Sequence, residues 1–195
     1  MNYPAQGLRI FILFFALLGL PVWATEPPAG GLSDDDVEVD YSDGTYHASL
    51  SFLVSASPGI VIEVLTDFDH MVGVVPNLES SQIVSRKGSV FVIRQQGRAN
   101  FGPFSFPFES TRQVEVFADG RIVGRALGGS TKHLLSELRV QPLGRGARVD
   151  YRIDVVPDRW MPSSIGVRFM AHEMAEQFTA LIREMERRQR LARAR

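Results

Sequence analysis

Hydrophobic and polar positions alternate most cleanly near residue 150, where Val149, Tyr151, Ile153 and Val155 interleave with Arg148, Asp150, Arg152 and Asp154. A period of two is a strand with one buried and one wet face. The same alternation appears a hundred residues earlier. Tyr46, Ala48, Leu50, Phe52 and Val54 share one face, and His47, Ser49 and Ser51 take the other. Residues 37–41 precede this arm across Ser42-Asp43-Gly44-Thr45, and Asp-Gly between alternating arms predicts a hairpin. The period then changes. Ser57 as N-cap and Pro58 in the first turn open a helix whose apolar side is Ile60, Val61, Val64 and Leu65. Asp67 or Asp69 restarts a second short helix, which Pro76 ends. Residues 78–156 read as antiparallel strands at 80–86, 89–98, 104–117, 121–127, 132–141 and 147–155, with Gly or Asp in the turns. Pro162-Ser163-Ser164 starts a long helix reaching about Arg190. Met170, Met174, Phe178, Leu181 and Met185 form its apolar stripe, and Glu173, Glu176, Arg183 and Glu186 fall off it.

Composition narrows the class. The chain has 195 residues, 45% of them apolar, and a net charge of −1, which predicts one globular domain with no nucleic-acid partner. Cysteine is absent, so a disulfide framework, a thiolate nucleophile and a cysteine metal site are excluded. Arg9, the apolar run of residues 10–20, Pro21 and Val22-Trp23-Ala24 read as a secretory signal cleaved after Ala24. Residues 25–36 are then a flexible leader, 37–190 the domain and 191–195 a basic tail. The chain is expected to be exported to the periplasm. Acidic residues gather at Asp34-Asp35-Asp36, Glu38 and Asp40, and arginines crowd the end from Arg183 to Arg195. That basic end either complements the helix dipole or meets anionic lipid headgroups as a peripheral membrane contact.

Few residues carry chemistry. By alternation Arg112 joins Phe104, Phe106, Phe108, Ser110, Val114 and Val116, which puts a guanidinium on an apolar face in need of a partner. A bulge near Pro107 would turn it outward instead. Ser136 and Tyr151 also fall on inward positions. His172-Glu173 with Glu176 lacks the second histidine of a zinc-peptidase motif, and the remaining histidines show no ligand spacing, so no metal is expected. There is neither a nucleophile elbow nor a phosphate loop. Phe101-Gly102-Pro103-Phe104 is an apolar, kinked connection that reads as a cavity lip, a membrane-touching tip or a plain turn.

One stretch goes further: Val64 to Leu78, with Asp67-Phe68 leading to Val75-Pro76-Asn77. Together with Tyr151-Arg152-Ile153 running into Val156-Pro157, and with Met161-Pro162 before the long helix, it resembles the START-like (SRPBCC) superfamily of coenzyme Q-binding and polyketide cyclase-like proteins. The resemblance spans about residues 37–190. It implies an α+β helix-grip fold: a curved antiparallel sheet wrapped around the C-terminal helix, with two short helices after the first strands and an apolar cavity between. It implies a binder of apolar small molecules or lipids, such as isoprenoid quinones, fatty-acyl chains or polyketide-like aromatics. No cofactor is expected. Phe104, Phe106, Phe108, Met170, Met174 and Phe178 would form the cavity wall, and Arg112, Ser136 and Tyr151 would orient a polar head. Two alternatives stand beside binding. One is a cyclase or dehydratase using the same cavity, for which no acid–base pair is evident. The other is a protein-interaction module whose cavity is filled by its own side chains.

Overall fold

The computed structural model describes residues 31–101, 104–158 and 162–194, without the side chains of residues 100, 101 and 104. The expected signal segment, the Phe101-Gly102-Pro103-Phe104 lip and Met161 therefore fall outside the described residues or side chains.

Eight strands form one antiparallel sheet: β1 (Val37–Ser42), β2 (Thr45–Val54), β3 (Leu78–Lys87), β4 (Val90–Phe101), β5 (Phe104–Val116), β6 (Arg121–Gly129), β7 (Thr131–Leu143) and β8 (Gly146–Pro157). Their spatial order is β1-β2-β8-β7-β6-β5-β4-β3, so the first hairpin pairs with the last strand. This order explains the early helical interruption. After β2 the chain leaves through α1 (Pro58–Thr66) and crosses to the opposite edge before β3 begins. The long helix α2 (Ser163–Arg193) packs against β1, β2 and α1. This is the helix-grip arrangement.

The hairpin turn uses Asp43 and Gly44, both with positive φ, as an Asp-Gly turn requires. Register shifts interrupt β3 at Leu78/Ser80 and at Ile83/Ser85, the β5–β6 ladder at Thr111/Arg112, and the β7–β8 ladder at Thr131/His133. Bulges of this kind bend a strand and curve the sheet. The core lies in the concave side, where Ile93, Val149, Val61 and Met185 are the largest fully buried side chains.

The crossover differs from expectation in detail. The second short helix is a single 3-10 turn, Phe68–His70, and Met71 to Asn77 is turn and bridge. Ser57 has extended backbone, but its hydroxyl makes no cap; its N–H donates instead to Gln189 Oε1 at 2.8 Å. Asp67 does stand at the N-cap position of the 3-10 turn, but neither its side chain nor that of Asp69 caps it. Asp69 accepts from the Ile83 N–H at 2.7 Å, tying the crossover to β3. Asp67 accepts from Arg188 Nη2 at 2.6 Å, and its Oδ1 lies 2.6 Å from His70 Nδ1. The last residues of the expected leader are also held. The Leu32 N–H donates to Thr179 Oγ1 at 2.7 Å, and Ser33 with Asp36 closes a capping box on a short 3-10 turn.

Arg188 is the clamp between α1, the crossover and α2. It reaches Glu63 at 2.8 Å, Asp67 at 2.6 Å and Glu184 at 2.7 Å. Glu184 also pairs with Arg187 at 2.6 Å. Hydrogen bonds from Arg187 and Arg188, working against partial burial, lower the Glu184 pKa from 4.5 to about 2. A carboxylate held this low stabilises the fold fully above its unfolded value of 4.5 and loses that contribution as pH falls towards about 2. Glu184→Gln should therefore cost about 2–3 kcal/mol at pH 7, with the deficit shrinking below pH ~4.5. Urea unfolding midpoints of both proteins at pH 7 and pH 3 check this; an equal deficit at both would refute it.

Candidate functional site

The inward faces of β4 and β5 build the floor of the site. Their ladder is continuous from Phe101↔Phe104 to Val90↔Glu115, pairing Ile93 with Arg112, Gln95 with Ser110 and Gly97 with Phe108. No bulge occurs at Pro107; the slipped residue is Leu127 on β6, which stands exposed. Arg112 therefore faces inward, as plain alternation predicts.

It lines an inner chamber of about 100 Å³ with Gln95, Gly124, Ser136, Tyr151 and Phe178, closed by Leu65, Phe68, Met71 and Leu181. Arg112 and Tyr151 lie deep in the molecule, and both line this chamber. The polar groups form two linked sets. Arg112 Nη2 donates to Gln95 Oε1. The Gln95 amide is fixed in turn, because its Nε2 donates to Ser81 Oγ at 3.0 Å and lies 3.6 Å from Met71 Sδ. The Ser81 hydroxyl in turn donates to the Phe68 carbonyl at 2.6 Å. On the other wall Ser136 stands near enough to the Tyr151 hydroxyl to oppose the rise of its pKa, and the Tyr151 ring packs on Phe178 with centroids 4.9 Å apart. Gly124, opposite Ser136 in the β6–β7 ladder, makes room for this pair: a Cβ there would sit 2.7 Å from Ser136 Oγ.

Burial, the dominant influence, lowers the Arg112 pKa and raises that of Tyr151, and each partly offsets the other's shift. A guanidinium keeps its charge even so. Among the described residues its Nε–H is buried without an acceptor, and no carboxylate pairs with it. A buried charge left in that state is costly unless something else compensates it.

Gln177 of α2 lines both this chamber and a larger outer one of about 610 Å³. Phe106, Phe108, Phe169, Met170, Leu134 and Val155 supply its apolar wall. Phe106 and Phe169 meet edge to face at 5.4 Å. Tyr46 also lines it, with a buried hydroxyl that has no hydrogen-bond partner among the described residues and lies against Gly166. Its acidic members are Glu109, Asp158 and Glu173. Glu173 has its pKa raised, chiefly by burial, with the Asn77 amide 3.5 Å from both carboxylate oxygens and opposing the shift.

Seven of the nine wall and head residues read from the sequence thus divide between two chambers. Arg112, Ser136, Tyr151 and Phe178 line the inner one, and Phe106, Phe108 and Met170 the outer one. Met174 is buried in the core cluster and lines neither chamber. The Phe104 side chain lies outside the described ones. Sequence reasoning missed Gln95, Glu173 and Gln177. Gln95 continues the inward alternation of Phe91 and Ile93, a signal that was available. Glu173 and Gln177 follow Met170 by three and seven positions, so the cavity-facing stripe of α2 is wider than its apolar residues alone.

Residues 45–186 match the model of a family described as polyketide cyclase / dehydrase and lipid transport. The chain belongs to that family. Several solved structures share its fold. The Zhui aromatase/cyclase from Streptomyces sp. R1128 aligns at 19% identity with a TM-score of 0.63, covering 74% of this chain and 95% of its own. A START superfamily protein from Mycobacterium smegmatis aligns at 16% identity and 0.60, covering 75% and 98%. A STAR-related lipid transfer protein from Xanthomonas axonopodis aligns at 15% identity and 0.59, covering 77% and 92%. Identities this low establish the shared fold alone. No curated protein matches the chain by sequence. Within the family frame, the two-chamber cavity on the concave side of the sheet is the candidate ligand site.

Proposed function

We propose that the protein is an exported binder of an apolar small molecule or lipid, of the quinone, fatty-acyl or polyketide-like kind. The ligand occupies the outer chamber, and its polar end reaches the inner one past Gln177. The observation that carries this reading is the pairing of an apolar space of about 610 Å³ with a deep, uncompensated guanidinium at its inner end. A core built only for packing would place neither a void of that size nor a lone cation there. The volume falls in the range of small-molecule sites. Burial of apolar ligand surface supplies the affinity, at about 25 cal/mol per Å² before the costs of association. Export rests on the charge, apolar run and small residues of positions 9–24.

Native mass spectrometry of the protein taken from its own cells, followed by organic extraction, tests this. A stoichiometric lipid, quinone or polyketide should come off, from a chain beginning at Thr25. A protein that arrives empty and stays empty when offered such molecules would refute binding. An uncleaved N-terminus would refute export.

Glu173 favours a second reading, catalysis in the same cavity. Its raised pKa and its place in the outer wall are what a general acid needs. Chemical change of a bound ligand, abolished in Glu173→Gln while binding persists, would establish that reading; a ligand recovered intact from both proteins would remove it.

A further inference from the structure

The charges lining the cavity are sorted by depth. Among the described residues Arg112 is the only ionic member of the inner chamber's wall. The outer chamber's wall contains, among the described residues, three carboxylic residues, Glu109, Asp158 and Glu173, and no basic one. Among the described residues the polar groups that act on Arg112 are neutral: the Gln95 carbonyl, which its own hydrogen bonds lock towards the guanidinium, and the Tyr151 hydroxyl beside Ser136. The fold has therefore built the acceptors that hold the guanidinium in place and has omitted the counter-ion.

We infer that the bound molecule supplies that counter-ion: the ligand is a monoanionic amphiphile of the carboxylate class, seated head first against Arg112 with its apolar body in the outer chamber. This rests on the binding reading above and narrows it, since a quinone or other neutral carbonyl would leave the charge uncompensated. Three observations fix the polarity. An anion placed the other way round would face Glu109, Asp158 and Glu173, where like charge repels it. The inner chamber, at about 100 Å³, has room for a small head and a few carbons but not for the body of a lipid. The aromatic and thioether wall of Phe106, Phe108, Phe169 and Met170 lies in the outer chamber, where an adaptable apolar body belongs. A planar guanidinium also suits carboxylate geometry better than a point charge would.

The test uses the delipidated protein, the neutral probe N-phenyl-1-naphthylamine and three competitors of equal chain length. Dodecanoate should displace the probe at a concentration about tenfold or more below that needed by methyl dodecanoate, and dodecylamine should be the weakest. Arg112→Gln should bring the acid-to-ester ratio to about one, and Arg112→Lys should retain part of the preference. If the wild-type protein binds the probe but treats acid and ester alike, the anionic inference is overturned and apolar binding stands. Failure of the probe and every competitor to bind overturns both. Orientation is read separately with 16-doxyl-stearate, whose nitroxide lies at the tail. Its broadening should fall on the backbone amides of Phe106, Gly129 and Phe169 and spare Gln95 and Ser136; the reverse pattern overturns the head-first arrangement.

Discussion

Gly97→Ala should destabilise the protein by about 3 kcal/mol, a large fraction of the stability of an ordinary domain. A Cβ at this position would stand 2.1 Å from the Asn77 carbonyl oxygen and 2.7 Å from Phe108 Cζ. The ring has some freedom, but the carbonyl has none. It accepts the Arg98 N–H at 2.8 Å, and Asn77 itself adopts a positive φ of 65° where the crossover enters β3. The methyl group would therefore push apart the crossover and β4 at the point where Phe108 enters the outer chamber. Gly128→Ala is the matched control. It also lies in a strand, at ordinary φ, with nothing within 4 Å of a Cβ, and should change stability by less than about 0.5 kcal/mol. Urea unfolding of the two variants decides the matter; equal midpoints would show that the crossover yields cheaply.

Gln177→Trp should separate binding from folding. Gln177 is exposed, so replacing it should leave the unfolding midpoint close to that of the parent. It also lines both chambers, so in the proposed binding mode an indole there would stand in the way of a ligand that reaches from one to the other. A long-chain ligand would then lose its inner contacts. Three or four methylenes at about 0.8 kcal/mol each amount to about a hundredfold in affinity, before the head is counted. A compact neutral probe confined to the outer chamber should bind nearly as before. Titration of long and compact ligands against both proteins reads the result. Equal affinity of the long ligand for both would place it outside this route. Met174→Trp, the substitution that the apolar stripe of the sequence would recommend, tests less, because Met174 packs in the core and its replacement strains the fold itself.

How far the site could be read in advance depended on the kind of signal. The inward placement of Arg112 followed from period-two alternation, which the β4–β5 ladder preserves without a slip. Its isolation from carboxylates did not follow, because partners come from other strands. Gln95, its actual neighbour, lies seventeen positions earlier and reaches it across one ladder. Glu173 looked like part of a solvated helix face. Only the curvature of the sheet, which brings β5 over the first half of α2, turned that face into a cavity wall. The side-chain partners of Asp67 and Asp69 were out of reach for a similar reason. A carboxylate near a helix end reads locally as a cap, whereas here Arg188, 121 positions away, captures one, and the Ile83 N–H captures the other.

By itself, then, the sequence determined the order of the strands and main helices, the buried faces of β2, β5 and β8, the hairpin turn at Asp43-Gly44, the long final helix and, through the crossover motif, the helix-grip family. These are local properties, set by periodicity and turn chemistry within a few residues. The tertiary structure alone decided that β2 pairs with β8 and that the crossover spans the sheet. It also decided that Gln177 lines both chambers, and that among the described residues Arg112 is the ionic member of the inner one while carboxylates line the outer one. Those features depend on which distant side chains share a space. Long-range packing sets that geometry through sheet curvature and strand order, neither of which is written in any one segment.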